Sequence, residues 1–262
     1  MPGELTPGTY VRARLRRVSL VIQPSLLGSL GELGVAELSG TVERRPLSDG
    51  AWADLRRGFV TAADELFDVL ASAVPWHEER MHMYDSTVRV PRLLARYPQG
   101  EPLPHPVLDE ARSALNAHYA EELGEPFVSV GLCLYRDGSD SVAWHGDRIA
   151  RESPRDTMVA IVSLGATRPF GLRPKLGGPG LRLQLGHGDL LVMGGSCQRT
   201  WLHGVPKVAS CLGARISIQF RPRWGDNLDK PNSDDRAFVG GPCARAPGRA
   251  SGRDPGWRQP AT

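Results

Sequence analysis

Two stretches in the first half of the chain place hydrophobic residues at helical spacing. The first covers residues 61–74 and opens on a capping-box pattern, Thr61 followed by Asp64. The second opens at Pro106, carries an apolar stripe along one face and ends before Gly124, a residue type that suits the C-terminal cap of a helix. The pattern therefore predicts two helices, and we expect both to pack on one side of a sheet.

From Phe127 onward the hydrophobic period becomes two. In Phe127–Tyr135, valine and leucine alternate with smaller or polar residues, as in a strand with one buried face. Many short strands that follow helices predict an α+β fold with a β-sandwich or jelly-roll core. Gly- or Pro-rich turns separate four further strand candidates: Met158–Leu164, Leu181–Leu185, Asp189–Met193 and Arg215–Arg221.

The composition predicts one folded domain between two less ordered ends. The 262 residues suit a single β-rich domain with flanking segments. Residues 1–40 have weak periodicity and are interpreted as a partly ordered leader, and residues 225–262 form a Gly/Pro/Arg-rich tail that we expect to be disordered. The folded domain is therefore predicted over residues 41–224, and no stretch is long and apolar enough to span a membrane.

Charge and cysteine content narrow the class of protein. The formal net charge is only +3, but the arginines cluster, which permits binding to a polyanion without establishing it, because solvated basic faces are common. The four cysteines show neither CxxC pairs nor a metal-finger spacing, as expected of reduced thiols in a cytoplasmic protein. No coiled coil or exposed apolar helix is visible, so we expect a monomer. The arginine clusters span Arg12–Arg17, Arg89–Arg96 and Arg148–Arg155.

A candidate metal site begins at the tripeptide His145-Gly146-Asp147. On an extended segment its imidazole and carboxylate point the same way and can share one ion, although the tripeptide alone is more typical of a loop ion pair. His203 supplies a third ligand. Two histidines and one carboxylate leave three positions open on an octahedral Fe(II), enough for a bidentate 2-oxo acid and dioxygen. The sequence therefore predicts an iron site at His145, Asp147 and His203.

The segment Arg215–Arg221 alternates in an unusual way. Its isoleucines and phenylalanine share one face, while Arg215, Ser217, Gln219 and Arg221 point to the other. Two inward-facing guanidinium groups would be costly without anions, and 2-oxoglutarate has two carboxylates. The alternative is an edge strand whose polar face lies in water.

Residues from about 75 to 223 resemble the AlkB family of Fe(II)/2-oxoglutarate-dependent dioxygenases, which repair alkylated nucleic acid by oxidising the alkyl group. The resemblance implies a double-stranded β-helix (jelly-roll) core with flanking N-terminal helices. The matching segments occur in the family's order and spacing. They are Leu134–Gly138, His145–Asp147, Val162–Gly165, Leu185–Leu191, His203 and Arg215–Arg221.

The resemblance also implies roles in binding iron and the co-substrate. The catalytic iron ligands would be the three residues of the predicted metal site. Tyr135 and Arg215 would hold the distal carboxylate of 2-oxoglutarate, and Arg221 would pair with the carboxylate beside the keto group. Cys133 and Ser217 belong to the same pocket but replace two asparagines of the family, which removes amide hydrogen bonds worth about 1 kcal/mol each.

The substrate contacts implied by the resemblance are less specific. Val90-Pro91-Arg92 and Tyr97 would form a lid over the target base, with Arg92 on nucleic acid and Tyr97 lining the pocket; the alternatives are a solvated charge and a packed turn aromatic. Ile149 replaces an acidic residue that helps to read the damaged base. His187 is expected to be structural. Candidate phosphate contacts are Arg89, Arg92, Arg96, Arg148 and Arg151.

These residues predict Fe(II)- and 2-oxoglutarate-dependent removal of alkyl groups from N-alkylated bases in DNA or RNA, a direct-reversal repair activity. Two alternatives stay open: the same chemistry on a small molecule or protein side chain, and a non-enzymatic descendant that binds nucleic acid. Gln23–Leu27 also resembles the short motif with which bacterial repair proteins dock on the replication sliding clamp.

Overall fold

The computed structural model describes residues 31–83, 86–147, 155–211 and 213–222. Several predicted features lie outside these ranges: the clamp-like Gln23–Leu27, the substrate candidates Arg148, Ile149 and Arg151, and the tail 225–262. Within them, no helix has the length and apolar character needed to cross a membrane. Cys133, Cys197 and Cys211 are free thiols.

The secondary structure is mostly strand, with two longer helices. A 3-10 turn at Ser48–Gly50 precedes the third strand. In chain order the elements are β1 Gly34–Val35, β2 Glu43–Pro46, β3 Ala51–Arg56, β4 Val60–Thr61, α1 Ala63–Ala73, β5 His77–Met83, β6 Ser86–Tyr97, α2 Pro106–His118, β7 Ser129–Tyr135, β8 Val142–His145, β9 Val159–Gly165, β10 Arg168–Pro174, β11 Leu181–Leu185, β12 Asp189–Gly195, α3 Cys197–Thr200, β13 Trp201–Val205 and β14 Arg215–Arg221.

Two antiparallel sheets form the core. The larger has the order β2-β3-β12-β9-β14-β7-β6-β5, and the smaller has the order β11-β10-β13-β8. From β7 to β14 the chain passes repeatedly between them, with β7, β9, β12 and β14 in the larger sheet and the other four strands in the smaller. This winding of eight strands into two facing sheets is a double-stranded β-helix. The predicted fold class is confirmed.

The central strands of the larger sheet are buried on both faces. One face packs with α1 and α2 in a helix-side core, to which Leu66, Leu115 and Leu132 belong. The other face packs against the smaller sheet in an inter-sheet core, which includes Cys133 and Tyr135. The prediction that both helices cover the same side of a sheet is confirmed. The prediction of one solvated face for β7 was wrong, because the smaller sheet covers that face.

The ordered domain begins before residue 41. β1 pairs with β4, and Leu38 is buried in the helix-side core. Thr61 does not cap α1 as predicted: its hydroxyl donates to the carbonyl of Glu32 at 2.8 Å, and the N-cap is Ala62, which makes no side-chain cap hydrogen bond. Thr61 therefore fastens the incoming chain to the domain.

The second helix ends earlier than predicted. It stops at His118 rather than just before Gly124, and the backbone N–H of its C-cap residue Tyr119 donates to the carbonyl of Leu115. Tyr119 is buried, and its hydroxyl donates to Asp54 at 3.0 Å. The C-cap position is therefore occupied by buried Tyr119 and not by a glycine.

Truncation of a side chain in the middle of the larger sheet should destabilise the domain. Ile218 on β14 is fully buried, so Ile218→Ala is expected to lower the free energy of unfolding by about 2–5 kcal/mol. Leu176, fully exposed on the β10–β11 turn, gives a matched control, since Leu176→Ala should change it by less than about 0.5 kcal/mol. Urea unfolding measures both values, and equal midpoints would contradict the assignment of Ile218 to the core.

Candidate metal centre and anion pocket

The two histidines of the predicted iron site lie side by side on neighbouring strands of the smaller sheet. His145 at the end of β8 and His203 in β13 are direct partners in an antiparallel pair. Their ring centroids lie 4.2 Å apart. Asp147 follows β8 by two residues, and one ligand atom from each of the three residues lies within 4.8 Å of the others. Sheet pairing thus brings distant parts of the sequence into one ligand set.

Neighbouring groups hold both imidazole rings in place. Nδ1 of His145 lies 2.9 Å from the carbonyl oxygen of Ala143. A carbonyl only accepts hydrogen bonds, so Nδ1 carries the proton and Nε2 is the nitrogen available to a metal. The ring of His203 is stacked on Phe170, with centroids 5.7 Å apart. Both rings are therefore oriented before a metal binds.

The carboxylate of Asp147 has one satisfied and one unsatisfied oxygen. Oδ1 accepts a hydrogen bond of 3.1 Å from Nη2 of Arg221. Oδ2 is buried and has no hydrogen-bond partner among the described residues. A buried carboxylate oxygen without a partner is costly, and a divalent cation beside two imidazoles removes that cost. The donor set and the unpaired oxygen therefore fit an Fe(II) ion.

The protonation states also suit metal binding. The net effect on Asp147 is a pKa lowered to about 2. Burial by itself would raise this pKa, but the nearby charges of Arg221, His203 and His145 lower it by more. Burial, with a smaller effect of His145, lowers the pKa of His203 to about 3. At neutral pH the aspartate is therefore ionised and His203 is neutral, as metal ligands must be.

The predicted anion pocket lies on the inter-sheet face of β14. Arg215 and Tyr135 are direct partners on β14 and β7, both are buried, and the guanidinium carbon of Arg215 is 5.2 Å from the tyrosine ring centroid. Nε of Arg215 donates to Ser163 at 2.8 Å, whereas buried Nη1 makes no hydrogen bond within the described residues. The alternative of a solvated edge strand is excluded, because β14 lies between β9 and β7. A buried guanidinium with an unpaired N–H fits a carboxylate.

The polar side chains between the two arginines form a short network. Ser217 and Cys133 are direct partners on β14 and β7. Nε2 of Gln219 lies 3.2 Å from the sulfur of Cys133 and 3.3 Å from the hydroxyl of Ser217. Its Oε1 accepts from Nη1 of Arg221 at 3.0 Å. Sequence reasoning gave Gln219 no role, although its place on the alternating face of β14 was the available signal.

Two of the predicted substrate residues lie on opposite faces of β6. Arg92 is half-buried, and its Nη1 donates to the carbonyl of Ser141 at 3.4 Å. Burial raises the pKa of the Tyr135 hydroxyl, and the positive charges of three nearby arginines partly offset that rise. These arginines are Arg92, Arg215 and Arg168. Arg92 therefore borders the anion pocket and is not a fully solvated charge. Tyr97 packs on the helix-side core, so the structure does not bring it to the metal centre.

Other residues considered from sequence have structural partners. Arg89 pairs with Glu78 at 3.4 Å, and Arg96 pairs with Glu79. His187 lies on the helix side of the larger sheet, where its Nδ1 accepts the backbone N–H of Gly165 at 2.7 Å. These contacts connect neighbouring elements of the fold and lie outside the ligand set of the metal centre.

Two cationic side chains contact the sequence neighbours of His145 on the smaller sheet. The guanidinium carbon of Arg173 lies 4.5 Å from the ring centroid of Trp144, the neighbour of His145. Nζ of Lys175 is 3.6 Å from the position that a Cβ on Gly146 would occupy. Arg173 lies on the opposite face of the smaller sheet from His203, because the residue that pairs with His203 is its neighbour Leu172. Strand β10 was not recognised from sequence, so neither cation was considered there.

Comparison with known proteins gives consistent matches. A family model described as the 2OG-Fe(II) oxygenase superfamily matches residues 59–221. Human alpha-ketoglutarate-dependent dioxygenase alkB homolog 3 is 33% identical over 199 residues, covering 66% of this chain and 67% of the human protein. DNA oxidative demethylase ALKBH2 of Arabidopsis thaliana is 36% identical over 135 residues, 42% of each chain.

A crystal structure of an oxidoreductase of the 2OG-Fe(II) oxygenase family from Burkholderia pseudomallei superposes on 64% of this chain and 84% of its own. It has a TM-score of 0.48 and 14% sequence identity. Among the proteins compared by sequence, the chain spans about two thirds of the length of the mammalian alkB homolog 3 proteins.

Removal of one ligand should abolish stabilisation by metal. Mn(II), a redox-inert substitute for Fe(II), should raise the melting temperature of the wild type, since a ligand at 100 times its Kd contributes about 2.7 kcal/mol. His203→Ala should weaken Mn(II) binding by more than about 100-fold, because even the groups behind a metal ligand contribute 10- to 100-fold. Thermal unfolding and calorimetric titration measure both effects.

The control for the metal experiment is His77→Ala, which removes an exposed histidine on β5. This variant should bind Mn(II) like the wild type. Equal stabilisation of the His203 and His77 variants by Mn(II) would refute the assignment of the ligand set.

Proposed function

Because the chain belongs to the 2OG-Fe(II) oxygenase superfamily and, within it, to the AlkB family of Fe(II)/2-oxoglutarate-dependent dioxygenases, we propose that it removes alkyl groups from N-alkylated bases in DNA by oxidation. The observation that carries the proposal is the buried hydrogen bond between Arg221 and Asp147, which connects the two-histidine, one-carboxylate cluster to the residues that would bind a dicarboxylate. The choice of DNA is supported by the name of the related DNA oxidative demethylase.

The residues of the site divide the work of binding. His145, Asp147 and His203 would hold the metal, and three protein ligands would leave coordination positions for the co-substrate and dioxygen. When bound, Fe(II) with 2-oxoglutarate and dioxygen supplies an oxidant strong enough to hydroxylate a C–H bond, with release of succinate and carbon dioxide. Arg215 and Tyr135 would bind the distal carboxylate of 2-oxoglutarate through charge and a hydroxyl hydrogen bond.

The substrate must reach the metal outside a base stack. Hydroxylation of an N-alkyl carbon gives a hemiaminal that breaks down to an aldehyde and the unmodified base. A stacked N-methyl group cannot approach the metal, so the base must be flipped out or single-stranded. Lys175 beside Gly146 and half-buried Arg92 place positive charge near the site, which suits contacts to backbone phosphates.

Loss of the buried arginine should weaken 2-oxoglutarate binding selectively. Arg215→Met removes the cation of the pocket, so the Kd of Mn(II)-loaded protein for 2-oxoglutarate should rise about 100-fold, as for one partner of a buried charged pair. The Kd for Mn(II) itself should stay within about twofold, because Arg215 contacts no metal ligand in the hydrogen bonds described. Isothermal titration calorimetry gives both constants.

Arg182→Met is the matched control for this substitution, since Arg182 lies on the exposed face of β11. It should leave the affinity for 2-oxoglutarate unchanged. If the Arg182 and Arg215 variants bind 2-oxoglutarate equally well, the anion pocket is assigned to the wrong residues.

Turnover should couple base repair to succinate formation. Iron-loaded protein incubated in air with 2-oxoglutarate and methylated single- or double-stranded oligonucleotides should release succinate and the demethylated base in equal amounts. His145→Ala should abolish both products, because it removes a metal ligand. Mass spectrometry of the bases and a succinate assay follow the reaction together.

The same assay distinguishes the rival functions. Succinate production without any change in the bases would place the substrate among small molecules or proteins, and methylated RNA in the panel decides between the two nucleic acids. Absence of both products in correctly folded, iron-loaded protein would indicate a binding protein without turnover and contradict the proposal.

A further inference from the structure

Arg168, the first residue of β10, is a cation that is buried among main-chain oxygen atoms. Only 1% of its surface is exposed. Nη1 donates to the carbonyl of Asp137 at 2.8 Å, and Nη2 donates to the carbonyls of Asp140 at 2.8 Å and Pro206 at 2.7 Å. Burying a guanidinium group costs more than burying an apolar side chain of similar size, so the position keeps this group for the bonds that it donates.

The three carbonyls belong to segments that adjoin the strands of the metal centre. Two of them lie in the loop 136–141, which leads from β7 into β8, and the third directly follows β13. Strand β8 ends at His145, and β13 contains His203. Arg168 therefore connects the two strands that carry the histidine ligands.

The pairing of β8 with β13 changes register beside these ligands. His145 pairs with His203. Val142 pairs with Val205, so two residues of β8 but only one residue of β13 lie between the two pairs. Regular pairing continued from the second pair would place Leu202 opposite His145, and the other histidine would then point to the far face of the sheet. The ligand set therefore depends on this irregularity, which is a bulge of the kind that redirects side chains beside active sites.

Arg168 supplies hydrogen-bond donors at the end of this ladder, where the backbone cannot. The residue that follows Val205 is Pro206, and proline has no N–H. The carbonyls of Pro206 and Asp140 both accept from Nη2, which carries two hydrogens. A slip of one strand against the other would break at least one of these bonds, so the guanidinium group stabilises the observed register.

The position of Arg168 on β10 provides a second connection to the same ligand. Arg168 and Phe170 are two residues apart on one strand, so their side chains share a face. The ring of Phe170 is stacked on that of His203, and Leu172 of the same strand pairs with His203. Strand β10 thus holds His203 by pairing and by stacking, and the guanidinium group at its start connects it to the loop that precedes β8.

We propose that Arg168 is a positioning residue for the metal centre: its guanidinium group holds the register of β8 against β13 that brings His145 opposite His203. The role requires the planar fork of arginine, because three carbonyls are reached from two nitrogen atoms. Lysine would keep the charge but donates from a single nitrogen, and methionine would keep only the bulk. The inference rests on the metal centre of the proposed function but not on its substrate.

The test measures metal binding by the full chain, with Mn(II) for affinity and Co(II) for the visible absorption bands that report ligand geometry. Arg168→Met should raise the Kd for Mn(II) about 10- to 100-fold, the effect of losing a group that orients metal ligands, and should change the Co(II) bands. Arg168→Lys should give an intermediate Kd. The control, Tyr119→Phe, removes a buried hydrogen bond to Asp54 on the helix side and should change neither readout.

Hydrogen exchange of the metal-free protein tests the register without any metal. In the Arg168 variants, the amides of residues 136–145 and 201–208 should exchange faster, while those of β9 and β12 in the larger sheet keep the wild-type rates. A merely structural role would instead lower the melting temperature and speed exchange throughout, with the Kd for Mn(II) within about twofold of the wild type, and would overturn the proposal. If Arg168→Met does not fold, Arg168→Lys decides by the same criteria.

The outcomes separate this inference from the proposed function. Failure of the wild type itself to bind Mn(II) would refute the metal centre and the proposed function together. Equal Mn(II) affinities of the wild type and the folded Arg168 variants would refute the role of Arg168 alone. If the affinities follow the expected order but no base is repaired, the substrate is wrong and the role of Arg168 stands.

Discussion

The pairing of Arg221 with Asp147 joins the two halves of the site and determines the charges that each half must receive. Both side chains are largely buried, so each needs the opposite charge of the other. The pair satisfies only one oxygen of Asp147, and Arg215, on the same face of β14, keeps a buried N–H without a partner in the described structure. A divalent cation and a dicarboxylate would supply the missing charges, so the two halves of the site suit these two ligands.

The winding of the chain makes this pairing possible. The histidines lie on β8 and β13 of the smaller sheet, whereas the arginines lie on β14 of the larger one. In a single sheet, side chains on two separated strands could not point at one another, but two facing sheets direct them into the same space. The jelly roll therefore brings metal ligands and anion ligands together from opposite walls, while helices α1 and α2 seal the outer face of the larger sheet.

Sequence patterns predicted the parts of the fold whose signal is local. The bounds of β11 and β14 agree with the alternation of their residues. Strand β10 was missed because Pro169, Gly171 and Pro174 disfavour a strand locally, and its pairing with β11 and β13 overrides that preference. The placement of Tyr97 failed for a simpler reason: Arg92 and Tyr97 are an odd number of residues apart on one strand, so they cannot face the same side.

The co-substrate pocket shows why residue-by-residue comparison understates what a site can do. Cys133 and Ser217 stand where the family has asparagines, which suggested a pocket poor in amide donors. In three dimensions one amide, that of Gln219, reaches both of these positions and also Arg221. A hydrogen-bond donor in a pocket need not come from one particular position, because neighbouring residues on the same face of a strand can reach the same space. Cys133, Ser217 and Gln219 therefore form one hydrogen-bonded arrangement, in which the glutamine amide serves both positions that lack an asparagine.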